Sequence, residues 1–303
     1  MKERLRILPY PVSGLMLALL SLGNLLNGIS PIFRYVLGAL GFGIFIALLI
    51  KMLLFPKSLK EAFDNPVVAS VMATFPMGLV VLSTYITQFI DVIGFMMWVL
   101  GTCLNLVLVV LFTKKHVIPF NIKKVFPSYF VLYVGVAIAS LTAPIYDMQS
   151  IGRVIFWYGL VVYVILIPLV SYRVFVVRNL LEPIKPTLII YSAPASLLLV
   201  GYLNSFTDKN VWIVYLLGVW AFLMMLFGLY QLPKLLKTSF YPSWSSFTFP
   251  FVISAIAFNS LSSHCDNNSS ILYYTQWFLT LWATLIVGFV LVKYTLFLKS
   301  FST

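Results

Sequence analysis

The sequence predicts an all-α membrane protein of ten transmembrane helices, paired as five helical hairpins in a single domain, residues 1–303. Three observations predict it. Of 303 residues, 61% are hydrophobic and only 9% charged, against about 25% charged in a soluble domain, so the chain lacks the side chains to face water. Apolar runs such as 92–112, and 35–55 with Lys51 its one interruption, match the roughly 20 residues a helix needs to cross a bilayer. Prolines recur at near-regular spacing at the head of alternate runs.

In chain order the spans read 12–27, 31–54, 67–87, 90–113, 128–144, 150–175, 187–204, 210–233, 243–262 and 270–296. The basic "MKERLRILPYP" ahead of the first is read as a cytoplasmic tail, because no small-residue cleavage site follows it cleanly. The odd spans begin at Pro11, Pro66, Pro127, Pro186 and Pro242, 55 to 61 residues apart. Proline at a helix start loses nothing, since its missing N–H would have no partner there. Five at this spacing read as five out-and-back hairpins.

Connectors after even spans are basic ("KSLKEAFDNP", "TKKHVIPFNIKKVFP", "RVFVVRNLLEPIKP", "PKLLKTSFYP"), while those after odd spans are short and polar, ending with "SSHCDNNSS". Of twenty Lys and Arg residues, only Arg34, Arg153 and Lys209 fall on the second side. The positive-inside rule then puts both termini and the basic connectors in the cytoplasm, with the protein in the cell membrane. The net charge of +12 is accounted for by topology rather than by nucleic acid binding.

The spans differ in chemistry. Odd ones carry Ser70, Thr74, Ser83 and Thr84, then Ser192 and Ser196, then Ser245, Ser246, Thr248, Ser254 and Asn259, whereas 31–54 and 210–233 carry almost no such residues. Polar side chains avoid lipid, so odd helices are expected inside and even ones outside, with Gly38, Gly41 and Gly43 allowing close approach. Five inner helices around one axis leave a channel, neutral and hydroxyl-lined, with Ser192 and Ser246 among the lining residues. The alternative is a closed bundle whose hydroxyls bond one another.

Pro76, Pro194 and Pro250 fall near the middle of inner spans, two of them in the triplet Thr-Phe-Pro (74–76 and 248–250). Interior proline breaks a helix and gives the following half its own N-terminus, a partial positive charge that favours anions. No charged residue lies near the middle of any span, and Asp91, Arg34 and Arg153 read as interfacial anchors or a subunit-interface ion pair. Cys103 and Cys265 lie too far apart in character and sequence to pair, and His116 and His264 fall in connectors, so neither a metal, a cofactor nor an enzyme is expected.

"LPYPVSGLMLALLSLGNLL", "FPMGLVVL", "FPSYFVLYVGVAIASLTA", "SAPASLLLVGYL" and "WSSFTFPFVISAIA", in order along the odd spans, resemble the tellurite-resistance/dicarboxylate transporter family, which includes bacterial TehA proteins and plant slow anion channels. The first span departs by carrying "LMLALL" where relatives tend to have more Gly and Pro. The resemblance implies quasi-five-fold symmetry around a central pore, a homotrimer with one pore per subunit, and a pore plugged by a phenylalanine of the ninth helix, Phe249 here. Its implied substrates are small anions of the chloride, nitrate, sulfite or dicarboxylate class. Thr248 and Pro250 are expected to position the Phe249 ring, and Phe75 to be either a second gate residue or part of helix packing. Lys114, Lys115, Lys123 and Lys124 are expected to form an electropositive cytoplasmic mouth. The leading function is an anion channel. A secondary carrier exporting a C4-dicarboxylate, sulfite or tellurite-related anion is the alternative, and a non-transporting receptor or scaffold the third reading.

Overall fold

The structure, a computed structural model, describes residues 2–265 and 269–301; Asp266, Asn267 and Asn268 of the last polar connector lie outside the described residues. The described chain is helical and contains ten apolar segments: α1 (Val12–Leu26), α2 (Pro31–Leu54), α3 (Pro66–Ile86), α4 (Asp91–Val117), α5 (Gly135–Tyr146), α6 (Gln149–Val177), α7 (Glu182–Ser205), α8 (Val211–Leu235), α9 (Pro242–His264) and α10 (Ser270–Lys299). Eight are long and apolar enough to cross a membrane; α1 and α5 are shorter, and α5 follows a separate helical turn, Tyr129–Tyr133. Several starts are capped by a side chain, as where Asn65 accepts from the N–H groups of Val67 and Val68 ahead of α3.

Burial divides the segments in two. The apolar stretches of α3, α7 and α9 are 89%, 94% and 78% buried, while those of α2, α4, α6, α8 and α10 are 28 to 33% buried. In α1 every residue but Asn24 and Leu25 is buried. The even segments keep large apolar side chains such as Leu53, Trp212 and Ile271 on the outside, which suits hydrocarbon and not water.

Each odd segment packs on the even segment that follows it, and the odd segments touch in the order α1, α3, α5, α7, α9 and back to α1. Hydroxyls join every neighbouring pair in that ring. Ser13 Oγ meets Thr74 Oγ1 at 2.6 Å, and Ser70 Oγ donates to Ser128 Oγ at 2.7 Å. Ser140 and Ser205 meet at 3.2 Å, as do Ser196 and Ser254. Thr248 Oγ1 closes the circle by donating to Gly14 O at 3.4 Å. The serines and threonines that mark the inner spans therefore serve mostly as bonds between helices.

Glycines on even helices bring the outer layer close. A Cβ at Gly101 would lie 3.0 Å from Pro76 O, and one at Gly38 would lie 2.6 Å from the Tyr85 ring. Gly43, expected among these, faces open space.

The inner segments break before their prolines, not at them. In α3 an α-helix Pro66–Val71 ends in a turn at Met72 and Ala73, and a new helix starts at Thr74. In α7 and α9 the first half is 3-10 (Glu182–Ser192 and Pro242–Phe247), and α-helix starts at Ala193 and at Phe249. Pro76, Pro194 and Pro250 thus sit in the first turn of a fresh helix, where a missing N–H breaks no ladder bond. This corrects the expectation of prolines interrupting a helix interior. The restart itself stands: α3, α7 and α9 each present a helix N-terminus halfway along.

At the end where the odd segments begin, Lys51 of α2 is buried and donates to the carbonyls of Arg6 and Leu8 while lying over the Tyr10 ring. Lys115 pairs with Asp64, the one ion pair among the described residues. The hydrogen bond from Lys115 holds the Asp64 carboxyl below its ordinary range.

Candidate functional site

The ring of inner segments encloses a cavity of about 40 Å³ at the level of the helix restarts, room for only about three waters at roughly 10–15 Å³ each. All five inner strands of chain reach it, through Gly14, Met77, Phe130, Leu197 and Phe249 among others. Its wall is mainly apolar, with Val71, Val131, Val134 and Ile190 completing the narrow zone. Thr74, Ser245 and Ser246 supply its hydroxyls. Among the described residues, no carboxylate, lysine or arginine lines it.

Beyond the constriction, at the end where the odd segments finish, the bundle opens into a vestibule of about 930 Å³. Its wall is mixed: apolar residues such as Leu141, Ile145, Leu203 and Ile256 alternate with polar ones, Ser21 and Asn24 from α1, Thr84 and Thr87 from α3 and its end, Asn204 from α7 and Asn259 from α9. Arg34 reaches it from α2. One end of the bundle is therefore wide, with several polar groups on its wall, and the middle is tight and mainly apolar.

Phe249, Pro250, Pro194 and Ser246 lie on the constriction wall. Phe249 is 6% exposed and occupies the first position of its helix, so its ring leaves the chain at the level of the narrowing. Thr248 stands directly behind it, fully buried, with its hydroxyl bonded to Ser245 O at 2.6 Å and to Gly14 O. These bonds tie the residue before the ring to α1.

Three expected lining residues turn away from the axis. Phe75 stacks on Phe45 of α2, with ring centroids 4.8 Å apart and planes 6° from parallel, so it belongs to helix packing. Pro76 presents its carbonyl to the Gly101 face of α4. Ser192 donates to Ile189 O and packs against the Gly228 face of α8. The reason is geometric: a residue on an inner helix can escape lipid by facing either the axis or a neighbouring helix, and a short hydroxyl satisfies itself on a backbone carbonyl three or four residues back in either place.

The four lysines sit at the opposite, basic end. Lys114 and Lys115 lie in the π turn that closes α4, and Lys123 and Lys124 in the 3-10 turn Ile122–Lys124. All four are exposed and none lies on the constriction wall. Lys123 instead borders a hollow of about 310 Å³ with Arg173 and Arg178.

Sequence reasoning missed two things. The apolar constriction residues, such as Met77 and Leu197, carry no signal that separates them from core. Arg34 was read as an interfacial residue, yet it is 9% exposed and its guanidinium points inward. The available signal was a lone arginine one turn before Gly38 in an otherwise apolar helix.

Over residues 11–295 the chain matches the family SLAC1, described as voltage-dependent anion channel. No curated protein matches it.

Proposed function

Because the chain belongs to the SLAC1 family of voltage-dependent anion channels, we propose that it conducts small anions through the axis of the inner ring and that the Phe249 ring closes that axis. The observation that carries the proposal is the apolar constriction of about 40 Å³, built from all five inner segments, with a separate, wider vestibule toward the end where the odd segments finish. An apolar waist excludes ions, because an ion there loses hydration that the wall cannot replace. Phenylalanine has few rotamers, so one swing of the ring switches the path between dry and wet.

Three features support selection by charge sign. The restarted halves of α3, α7 and α9 point their N-termini at the constriction, each a partial positive charge. Among the described residues, no carboxylate stands on the wall to repel an anion. The basic end, cytoplasmic by the positive-inside rule, gathers most of the Lys and Arg residues. In this reading the chain crosses the cell membrane ten times in five quasi-symmetric hairpins, with both termini in the cytoplasm. The apolar outer faces of the even helices pack in a homotrimer and against lipid. Static light scattering in mild detergent should give the mass of three chains, and a monomer would remove the trimer from the account.

The test of function is electrical recording of purified Phe249→Ala in lipid under asymmetric salt. The reversal potential should follow the anion gradient when chloride, nitrate and a dicarboxylate are exchanged in turn. A reversal potential set by the cation contradicts the reading. The one-sided opening, wide at one end and shut at the middle, also suits a carrier exporting a C4-dicarboxylate, sulfite or tellurite-related anion. Flux that saturates and ignores Phe249→Ala would favour the carrier.

A further inference from the structure

Arg34 is a built feature of the vestibule. Its Nη2 donates to Thr84 O at 2.9 Å, and its guanidinium carbon lies 4.7 Å from the centre of the Tyr85 ring. Tyr85 is itself pinned, with its hydroxyl donating to Leu20 O at 2.6 Å. The ring fits against Gly23 and Gly38, where a Cβ would come within 2.4 Å of the hydroxyl and 2.6 Å of the ring edge. Two glycines, a tyrosine and a backbone carbonyl thus hold one arginine in place.

What the arginine lacks is a counter-charge. Arg34 is 9% exposed, and no carboxylate lies within ion-pair distance of it among the described residues. Its Nε–H is buried without a partner. Three other buried atoms without partners, Ser21 Oγ, Asn24 Oδ1 and Thr87 Oγ1, belong to residues of the same vestibule wall. A buried cation without a counter-charge is unfavourable even when a carbonyl and an aromatic face meet it, and orphaned polar atoms gathered in one place mark a position that water or a ligand completes. Among the described residues, Arg34 is the one charged residue lining this vestibule.

We propose that Arg34 forms a binding subsite for a single small monoanion in the vestibule, a halide or one planar oxyanion group such as nitrate or a carboxylate. It rests on the anion-conducting reading above and gives that reading a specific point of capture. One fixed positive charge matches one negative charge, so a dianion keeps its second charge unpaired there. Asn24 stands beside the subsite, because its Nδ2 donates to Thr84 Oγ1 while Arg34 donates to the carbonyl of the same residue.

The test is the line width of the chloride-35 NMR signal on titration of purified protein, a readout that needs no conduction. Wild type should show saturable broadening that nitrate and acetate displace. Arg34→Gln should weaken that binding by at least about tenfold, the scale of one lost charge-assisted hydrogen bond, and Arg34→Lys should retain part of it. Asn24→Asp places a carboxylate where it neutralises Arg34, and should abolish the broadening with the melting temperature kept. This second variant covers the case in which Arg34→Gln fails to fold. Absence of saturable broadening in wild type, or wild-type affinity in either Arg34→Gln or Asn24→Asp, overturns the subsite. A subsite that binds chloride while Phe249→Ala carries no current leaves the subsite standing and removes the channel.

Discussion

The triplet Thr-Phe-Pro occurs twice, at 74–76 in α3 and at 248–250 in α9, and its two phenylalanines do different things. Phe249 lines the constriction; Phe75 stacks on Phe45 of an outer helix. The two rings stand at matching depth. Nine residues separate Pro66 from Phe75, through a mainly α first half, and seven separate Pro242 from Phe249, through a 3-10 first half. At 1.5 Å and 2.0 Å of rise per residue, both paths come to about 14 Å. Their facing differs because α-helix turns about 100° per residue and 3-10 about 120°, and because the new helix starts at Thr74 in one case and at Phe249 in the other. The lesson is that a motif fixes depth and local stiffness, while the winding ahead of it decides what the side chain meets.

This comparison breaks most readily at position 249. Phe249→Ala should raise anion current at least about tenfold, since lowering a barrier by only about 1.4 kcal/mol does that and the dry ring opposes ion hydration by more. Phe75→Ala should leave current near the wild-type level but lower stability by about 3–5 kcal/mol, the range for emptying a buried phenylalanine site. Thermal unfolding of both variants checks the second figure. Equal currents from the two would erase the distinction.

The preceding threonines sharpen it further. Thr248 bonds across to Gly14 O, and Thr74 bonds to Ser13. Valine at either position should lower stability by about 1 kcal/mol for the lost hydrogen bond. Thr248→Val should change resting current more than Thr74→Val, because the phenylalanine that follows Thr248 lines the constriction and the one that follows Thr74 does not. A change in current from Thr74→Val would show that α3 shapes the gate as well.

The smallest effect belongs to residues outside both triplets. Neutralising Lys114, Lys115, Lys123 and Lys124 together should reduce current a few-fold at low salt and little at about 1 M, where the screening length is about 3 Å. Lys115 already shares its charge with Asp64, so it should contribute least of the four. A salt-independent loss would mean that the lysines touch the permeating ion directly.

Much of the architecture was legible in the sequence. Apolar length and the alternation of basic and polar connectors placed the even spans within a few residues of α2, α4, α6, α8 and α10. The hydroxyl contrast separated inner from outer segments, because hydrocarbon rejects hydroxyls wherever they stand. The same contrast misled about the axis: Ser192 and Ser196 bond a backbone carbonyl and a neighbouring helix, and the axis at the waist is faced largely by Met77, Val134 and Leu197. Polarity reports distance from lipid, and both the axis and a helix interface satisfy it. Arg34 was read as an interfacial anchor or subunit-interface ion pair because it lies near a helix end, and only the fold shows that its side chain runs inward over Tyr85.

The most direct measurement of the central claim is unitary or macroscopic anion conductance across a size series at one position: Phe249, then Leu, Val and Ala, in lipid and at fixed voltage. If an apolar ring closes the axis, conductance rises stepwise as volume is removed, in variants that thermal unfolding shows to be folded. Conductance that stays flat across the series in folded protein would contradict the account and place the barrier elsewhere along the axis.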